Sequence, residues 1–315
     1  MTIEYKDSKR IQIIKGSVQG NNGGSGAHSA GAWAGSGGGG GSSSVGSNSS
    51  TSGGGNGGNG TANSITGSSI TYATGGSGSG NASDGTGGSS NANNNNVGQS
   101  ATANRGSGGG AAKNGTQGGA GSSGIVIIRF TTSGNTYSQS GGTVDTSTVS
   151  GQTIISYTST SGTKSFTPTS SFNVQYLVVG GGGSAGAGNE PTGAGGSGGY
   201  LSSSSYAVTA QAYTVTVGAG GSQPSTSAGD LGNDGSNSSF DDFTAIGGGA
   251  GGGRSDNTTI RTGRDGGSGG GTGTDVTGNG TVVTGGSATV VGDTKPTNVQ
   301  DNSILVEKDT ANRYW

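Results

Sequence analysis

Residues 172–183 read FNVQYLVVGGGG: Tyr176, Leu177, Val178 and Val179 form an unbroken apolar run that passes directly into glycine. A short β-branched-rich run bounded by glycine is the pattern of a strand buried on both faces. The plan recurs along the chain. Residues 124–130 read GIVIIRF, with Ile125 to Phe130 following Gly124. Residues 212–221 read AYTVTVGAGG, where Tyr213, Val215 and Val217 alternate with Thr214 and Thr216 at the spacing of a half-buried strand. Residues 238–253, SSFDDFTAIGGGAGGG, again run Phe240, Phe243 and Ile246 into a glycine tract. No amphipathic pattern of period 3.6 reaches three turns, and each interior glycine costs about 1 kcal/mol in a helix relative to alanine. The expected fold is therefore all-β or irregular: short strands joined to glycine-rich spans, with no significant helix.

Composition decides what those spans can be. Glycine supplies 77 of the 315 residues, where an ordinary protein of this length has about 20. Hydrophobic residues make up 25% and charged residues 10%, too little apolar matter for a conventional core throughout. Either the tracts are flexible linkers, or they are extended threefold helices of the polyproline II type. Side-chain-free helices of that type can pack backbone to backbone, exchanging N–H···O and Cα–H···O bonds. Ordering glycine is entropically costly, so only a cooperative lattice could offset it. The strand runs beside the tracts can anchor and align their ends, and packed, polyglycine II-like spans are the expectation. The NANNNN stretch, 91–96, is expected to stay a solvated loop.

Five segments follow: an N-terminal arm (1–20), a first glycine-rich module (21–130), a polar linker (131–151), a second module (152–292) and a C-terminal segment of different character (293–315). In order, SFTP (165–168), QYLVVGGGG (175–183), GGSGGYL (195–201), YTVTVGAGG (213–221) and GNDGSNSSFDDFTAIGGGAGGG (232–253) resemble the glycine-rich domain of phage and viral tail-fibre and adhesin proteins. ANSITGSSITYATGG (62–76) and GAGSSGIVIIRF (119–130) resemble its second half. The first module lacks an opening YLVV-type strand and the second lacks a closing IVIIRF strand. Either both are truncated or the halves complete one another. NSILVEKDTANRYW (302–315) is similar to short repeats near the ends of viral tail proteins, so Trp315 is read as a possible cut point. The resemblance implies receptor contacts in the non-glycine interruptions of the tracts.

Chemistry is sparse. There are 14 basic and 16 acidic residues, dispersed along the chain, so no basic patch for nucleic acid is expected. Cysteine is absent, which excludes disulfides and thiolate metal sites. No apolar run approaches the length of a membrane-spanning helix. None of signal-peptide length follows the charged start, so classical export is not expected. His28, the sole histidine, stands in GAHSAGAW with no nucleophile placed beside it. The glutamates Glu4, Glu190 and Glu307 lie in separate segments, and Asp241 and Asp242 would face opposite ways on a strand. The carboxylate pair of a capsule-degrading tail enzyme is therefore missing. No phosphate-loop motif is present, and Asp230, Asn233 and Asp234 make only one isolated copy of a calcium-type turn. The sequons at Asn48, Asn81 and Asn257 are expected by chance in this composition. No catalytic residue, metal or cofactor is expected.

What remains is binding. Trp33 sits in a glycine tract with no evident packing partner, suited either to stacking on a sugar or protein receptor or to plugging a lattice end. Arg254, Arg261 and Arg264 share a polar excursion, 252–267, that could meet an anionic glycan or could be a solvated loop with Asp256 and Asp265 as counter-charges. Candidate receptor contacts are thus Trp33, His28, Arg254, Arg261 and Arg264. The expected role is a non-catalytic surface-fibre or adhesin subunit of a virion, extracellular and homo-oligomeric. Its expected partners are a host receptor, glycan or protein, and other fibre proteins. The alternative is a structural filament or capsid-decorating protein. Irregular threonine spacing argues against an ice-binding surface.

Overall fold

The structure, a computed structural model, describes residues 19–29, 32–88, 90–92, 97–114, 116–224, 229–254 and 258–274, with a separate strand pair at 305–306 and 313–314. The strands in chain order are β1 (Ala27–Ser29), β2 (Ala32–Gly35), β3 (Thr61–Asn63), β4 (Ile70–Tyr72), β5 (Ile125–Thr131), β6 (Tyr137–Ser140), β7 (Thr143–Asp145) and β8 (Gln152–Tyr157). They continue with β9 (Lys164–Pro168), β10 (Phe172–Val179), β11 (Tyr200–Val208), β12 (Tyr213–Thr216), β13 (Ser238–Phe240) and β14 (Phe243–Ala245). A single helical turn, α1 (Thr258–Arg261), precedes β15 (Leu305–Val306) and β16 (Arg313–Tyr314). The fold is all-β, as its patterning implied, and its sheets are antiparallel. The arm at 1–18 and residues 93–96 of the asparagine stretch lie outside the described residues.

Two five-stranded antiparallel sheets, ordered β11-β10-β5-β8-β7 and β14-β13-β12-β9-β6, stack face to face. Alternation assigns the faces. Val126, Ile128 and Phe130 of β5 and Val174, Tyr176 and Val178 of β10 meet Phe166, Tyr213, Val215, Phe240 and Phe243 of the second sheet. All five phenylalanines of the chain enter this core. The opposite face of the first sheet is also covered, because Ile65 and Tyr72 of the β3–β4 hairpin close over Ile125, Ile127, Leu177 and Val179. Burial on both faces explains the continuous apolar runs of β5 and β10. The strand that ends the first glycine tract lies beside the one that opens the second, with Ile127 opposite Leu177 and Ile125 opposite Val179. Of the two alternatives left open by the sequence, the halves complete one another within one chain. The stretch read as a linker, 131–151, contains β6 and β7, which form one edge of each sheet and turn through Gly141 at φ 79°. β6 alternates the partly buried Tyr137 and Gln139 with serines, and the one apolar residue of β7, Val144, is exposed, so no apolar run announced them.

The glycine tracts are ordered. Along 180–188 the donors cycle with a period of three. The amides of Gly180, Gly183 and Gly186 donate to carbonyls of Gly199, Gly196 and Gly193. Those of Gly181, Ser184 and Ala187 donate to Ser236, Asn233 and Asp230, and those of Gly182, Ala185 and Gly188 to Ser122, Gly119 and Thr116. Carbonyls of the same span accept from Gly109, from Gly221, and from Gly248 and Gly251. Spans 191–199, 229–237, 116–124, 106–112, 217–224 and 246–254 thus surround 180–188, as threefold helices in a lateral lattice must. The span 191–199 repeats the rule: Thr192, Gly195 and Gly198 donate to Ala112, Gly109 and Gly106, while Gly193, Gly196 and Gly199 donate to Gly252, Gly249 and Ile246. Where side chains occur inside, they are small. Ala111, Ala185, Ala187, Ala194, Ser184, Ser197 and Ser268 are fully buried, and serine hydroxyls join the ladder, as when Ala92 donates its amide to Ser77 Oγ at 2.7 Å.

The strands fix where each span begins. β10 runs into 180–188, β11 continues 191–199, β5 ends 116–124, and β14 opens 246–254. Gln19, only 4% exposed, ties the first span to both sheets. Its carbonyl accepts from Tyr200, its Nε2 donates to the Thr244 carbonyl and its Oε1 accepts from the Ile246 amide. The tight β13–β14 turn places Asp241 in the left-handed region at φ 54°, where it accepts a hydrogen bond from Tyr206.

The buried phenols carry a pH dependence. Burial pushes Tyr176 from 10.0 up to about 12 and raises Tyr157, and burial followed by Asp241 raises Tyr206. A raised folded-state pKa means stability is intact below the unfolded value near 10 and falls as pH rises through 12. Urea midpoints are therefore expected to fall steeply across that window, and Tyr176→Phe should flatten the fall. A midpoint independent of pH there would contradict the buried-phenol account.

Candidate functional site

The lattice has two unlike ends. At one, spans merge into the sandwich. At the other, several spans are joined by non-glycine interruptions that carry larger side chains, whereas the β3–β4 interruption folds back onto the sandwich. The level is fixed by cross-links between spans: the Thr274 amide donates to the Pro191 carbonyl at 3.2 Å, the Gly253 amide to Ile260 at 2.8 Å and the Gly273 amide to Arg261 at 2.9 Å. Isolated bridges Gly35↔Gly80 and Thr116↔Gly188 tie the same level together. The β1–β2 hairpin stands there too, since its Ala27 pairs with Gly35 and the Gly26 amide donates to the Thr272 hydroxyl.

Three of the sequence candidates therefore share one end with Arg254. His28 lies on β1, Trp33 on β2 and Arg261 on α1; the side chains of His28 and Trp33 lie outside the described residues. Arg254 follows the last glycine of 246–254, its amide donating to the Ala187 carbonyl at 3.4 Å. Arg261 is buried, with 8% of its surface exposed. Arg264 is not part of the group. It lies back along the lattice, where its Nη1 reaches Asp234 Oδ2 at 3.0 Å on an exposed flank. Its counter-charge is thus Asp234 and not Asp265, while Asp256 lies outside the described residues. Asp234 and Asn233 are engaged by the lattice: Asp234 Oδ1 accepts from the Ala250 amide, and Asn233 Nδ2 donates to the Ser222 carbonyl. Among the described residues no cluster of three His, Asp or Glu could hold a metal.

Two residues at this end escaped the list of sequence candidates. Lys113 Nζ donates to Asn81 Oδ1 at 2.6 Å. Glu190 is held above the usual carboxylate value by burial, against the pull of Arg254 and Lys113. The signal for both was available: each charged residue stands at the break between two glycine spans, at 113–114 and 189–190, and a packed lattice can carry large side chains only at such breaks or on its outer flanks.

A family described as a glycine-rich domain matches residues 6–131 and 158–310. The chain belongs to this glycine-rich domain family. No curated protein and no solved structure matches it. In this glycine-rich domain the two matched stretches meet along β5 and β10. The intervening 132–157 supplies β6, β7 and β8, so the segment between the matched halves completes both sheets.

Proposed function

We propose that this chain is a non-catalytic subunit of a virion surface fibre or adhesin, working outside the cell as a homo-oligomer with other fibre proteins. Its lattice is a rigid spacer, and its loop end meets a host-cell receptor. The observation that carries the reading is that four interruptions, β1–β2, 113–114, 189–190 and α1, share the end of the lattice away from the sandwich, while the β3–β4 hairpin returns to the first sheet. A nine-residue threefold span is about 28 Å long, and bundling such spans makes a stiff body that holds β1–β2, 113–114, 189–190 and α1 away from the sandwich. The resemblance of the strand-to-glycine order to tail-fibre and adhesin domains supports a viral setting. Loops borne on a rigid scaffold are the usual place for recognition.

The test is saturable adsorption of labelled protein to a panel of intact bacterial strains, with blocking of phage infection as a second readout. Adsorption to at least one strain is expected, weakened at least about tenfold in the Trp33→Ala/Lys113→Ala double variant, since few residues carry most of an interface's energy. Unchanged adsorption by a folded double variant would remove the loop end from the contact. Adsorption to no strain would leave the purely structural filament as the reading.

A further inference from the structure

A cleft of about 350 Å³ opens on the outer face of the first sheet, where the β3–β4 hairpin meets it. Asn63, Arg129, Gln175 and Ser202 to Ser204 line it. The strand register puts these groups together. Gln175 is the cross-strand partner of Arg129, next in the outward row after the Leu177–Ile127 pair. On the far side, β10 and β11 slip register between Val174 and Tyr176. The resulting bulge turns the serines beside Gln175, with the Ser205 amide donating to Ser203 Oγ at 3.2 Å. Bulges of this kind commonly re-aim side chains at functional places.

Arg129 is the group that needs a partner. Its Nε is buried and has no acceptor among the described residues, while its Nη1 reaches the Ile65 carbonyl only at 3.5 Å. A guanidinium with an idle, desolvated Nε is costly to keep in place. The guanidinium of Arg129 lines the cleft, and a planar guanidinium is a fork shaped to take both oxygens of one carboxylate. Around it stand serine hydroxyls and the primary amides of Asn63 and Gln175, which suit the hydroxyls of a sugar ring, beside Ile65 and Tyr176, which can meet a ring face.

We infer that this cleft binds the carboxylate of an acidic saccharide, a uronate-type sugar, through Arg129, with Gln175 and Ser202 to Ser204 meeting the ring hydroxyls. The site sits on the sandwich, at the opposite end from the proposed receptor loops, and does not rest on them. Ligand-observed saturation-transfer NMR of the full chain with sodium glucuronate tests it, with glucose and acetate as comparison probes. Glucuronate should bind, glucose and acetate each at least about tenfold more weakly, and Arg129→Gln should weaken glucuronate at least about tenfold. Arg129→Lys retains the charge but loses the fork and should recover only part of the affinity. Melting temperatures of the variants separate a lost site from a lost fold, and Ser202→Ala, on an exposed position, provides a variant that keeps the fold. No glucuronate binding by the folded protein, binding indifferent to Arg129→Gln in a folded variant, or acetate binding as well as glucuronate would each overturn the assignment. Because the probe is a free sugar, that failure is distinct from a failure of cell adsorption.

Discussion

Gly195→Val is expected to lower stability by about 3 kcal/mol or more, the upper end of what overpacking costs, and to broaden or abolish cooperative melting. A Cβ at Gly195 would meet the Gly183 carbonyl oxygen far inside the 3.0 Å that real Cβ atoms keep. The obstacle is backbone, which cannot swing aside as a side chain can. Gly183 is itself fixed, its amide bonded to the Gly196 carbonyl and its carbonyl accepting from Gly109. Relief of the clash must therefore break hydrogen bonds in three spans at once. A Cβ at Gly39 or at Gly108 would meet the Gly195 carbonyl oxygen just as closely, so those spans pack tightly on it and a displaced Gly195 strains them too. The contrast is Val45, at the rim of the lattice with 59% of its surface exposed. Val45→Thr should change stability by no more than about 0.5 kcal/mol. Urea unfolding of the two variants against the parent measures both. Near-equal stability for Gly195→Val would mean that the close backbone approach is not what holds the spans together.

Much of this architecture could be read from residues in a row, and the reason is that strands and threefold spans each carry a short local signature. The runs 124–130 and 172–183 gave both strand and glycine entry, because burial on two faces removes polar alternation and the lattice admits nothing large. Pairing was not legible. Ile125–Thr131 and Phe172–Val179 are joined across a gap that includes β6 to β9, and no residue in either run names its neighbour. β6 and β7 were hidden for another reason. They sit at sheet edges, where YSQS and TVD place little apolar surface in the core. The loop-end residues follow from the lattice once its existence is granted, since a charge interrupting the glycine spans must emerge at an end or, as Arg264 does, on an outer flank. Arg129 is the instructive omission. In IVIIRF it reads as a charge that a buried strand tolerates, yet a period of two sets it on the face of Ile125 and Ile127. The end of that hydrophobic row, at the margin of the hairpin cover, is where a charged side chain can open a cleft.

Phe166→Ala tests whether sandwich and lattice are one cooperative unit. Phe166 is completely buried at the centre of an aromatic group, with ring centroids of Phe130 at 5.8 Å, Tyr137 at 5.9 Å, Phe172 at 6.4 Å and both Tyr213 and Phe240 at 6.5 Å. These partners come from both sheets, so no single strand can close the space that truncation leaves. Buried phenylalanine-to-alanine changes cost about 3–5 kcal/mol. The larger consequence is for the glycine spans. Isolated threefold helices have no internal hydrogen bonds, and glycine surrenders more freedom on ordering than any other residue. A span can hold its place only if its ends are already set, and it is β5, β10, β11 and β14 that set them. The amides of Gly183 and Gly195, remote from Phe166, should therefore exchange faster in Phe166→Ala by the same factor as the amide of Ile128 in the sandwich. Thermal melting should remain a single transition at lower temperature. If Gly183 and Gly195 kept their protection while Ile128 lost it, the lattice would be stable by itself, and the strands would be passengers on it instead of its anchors.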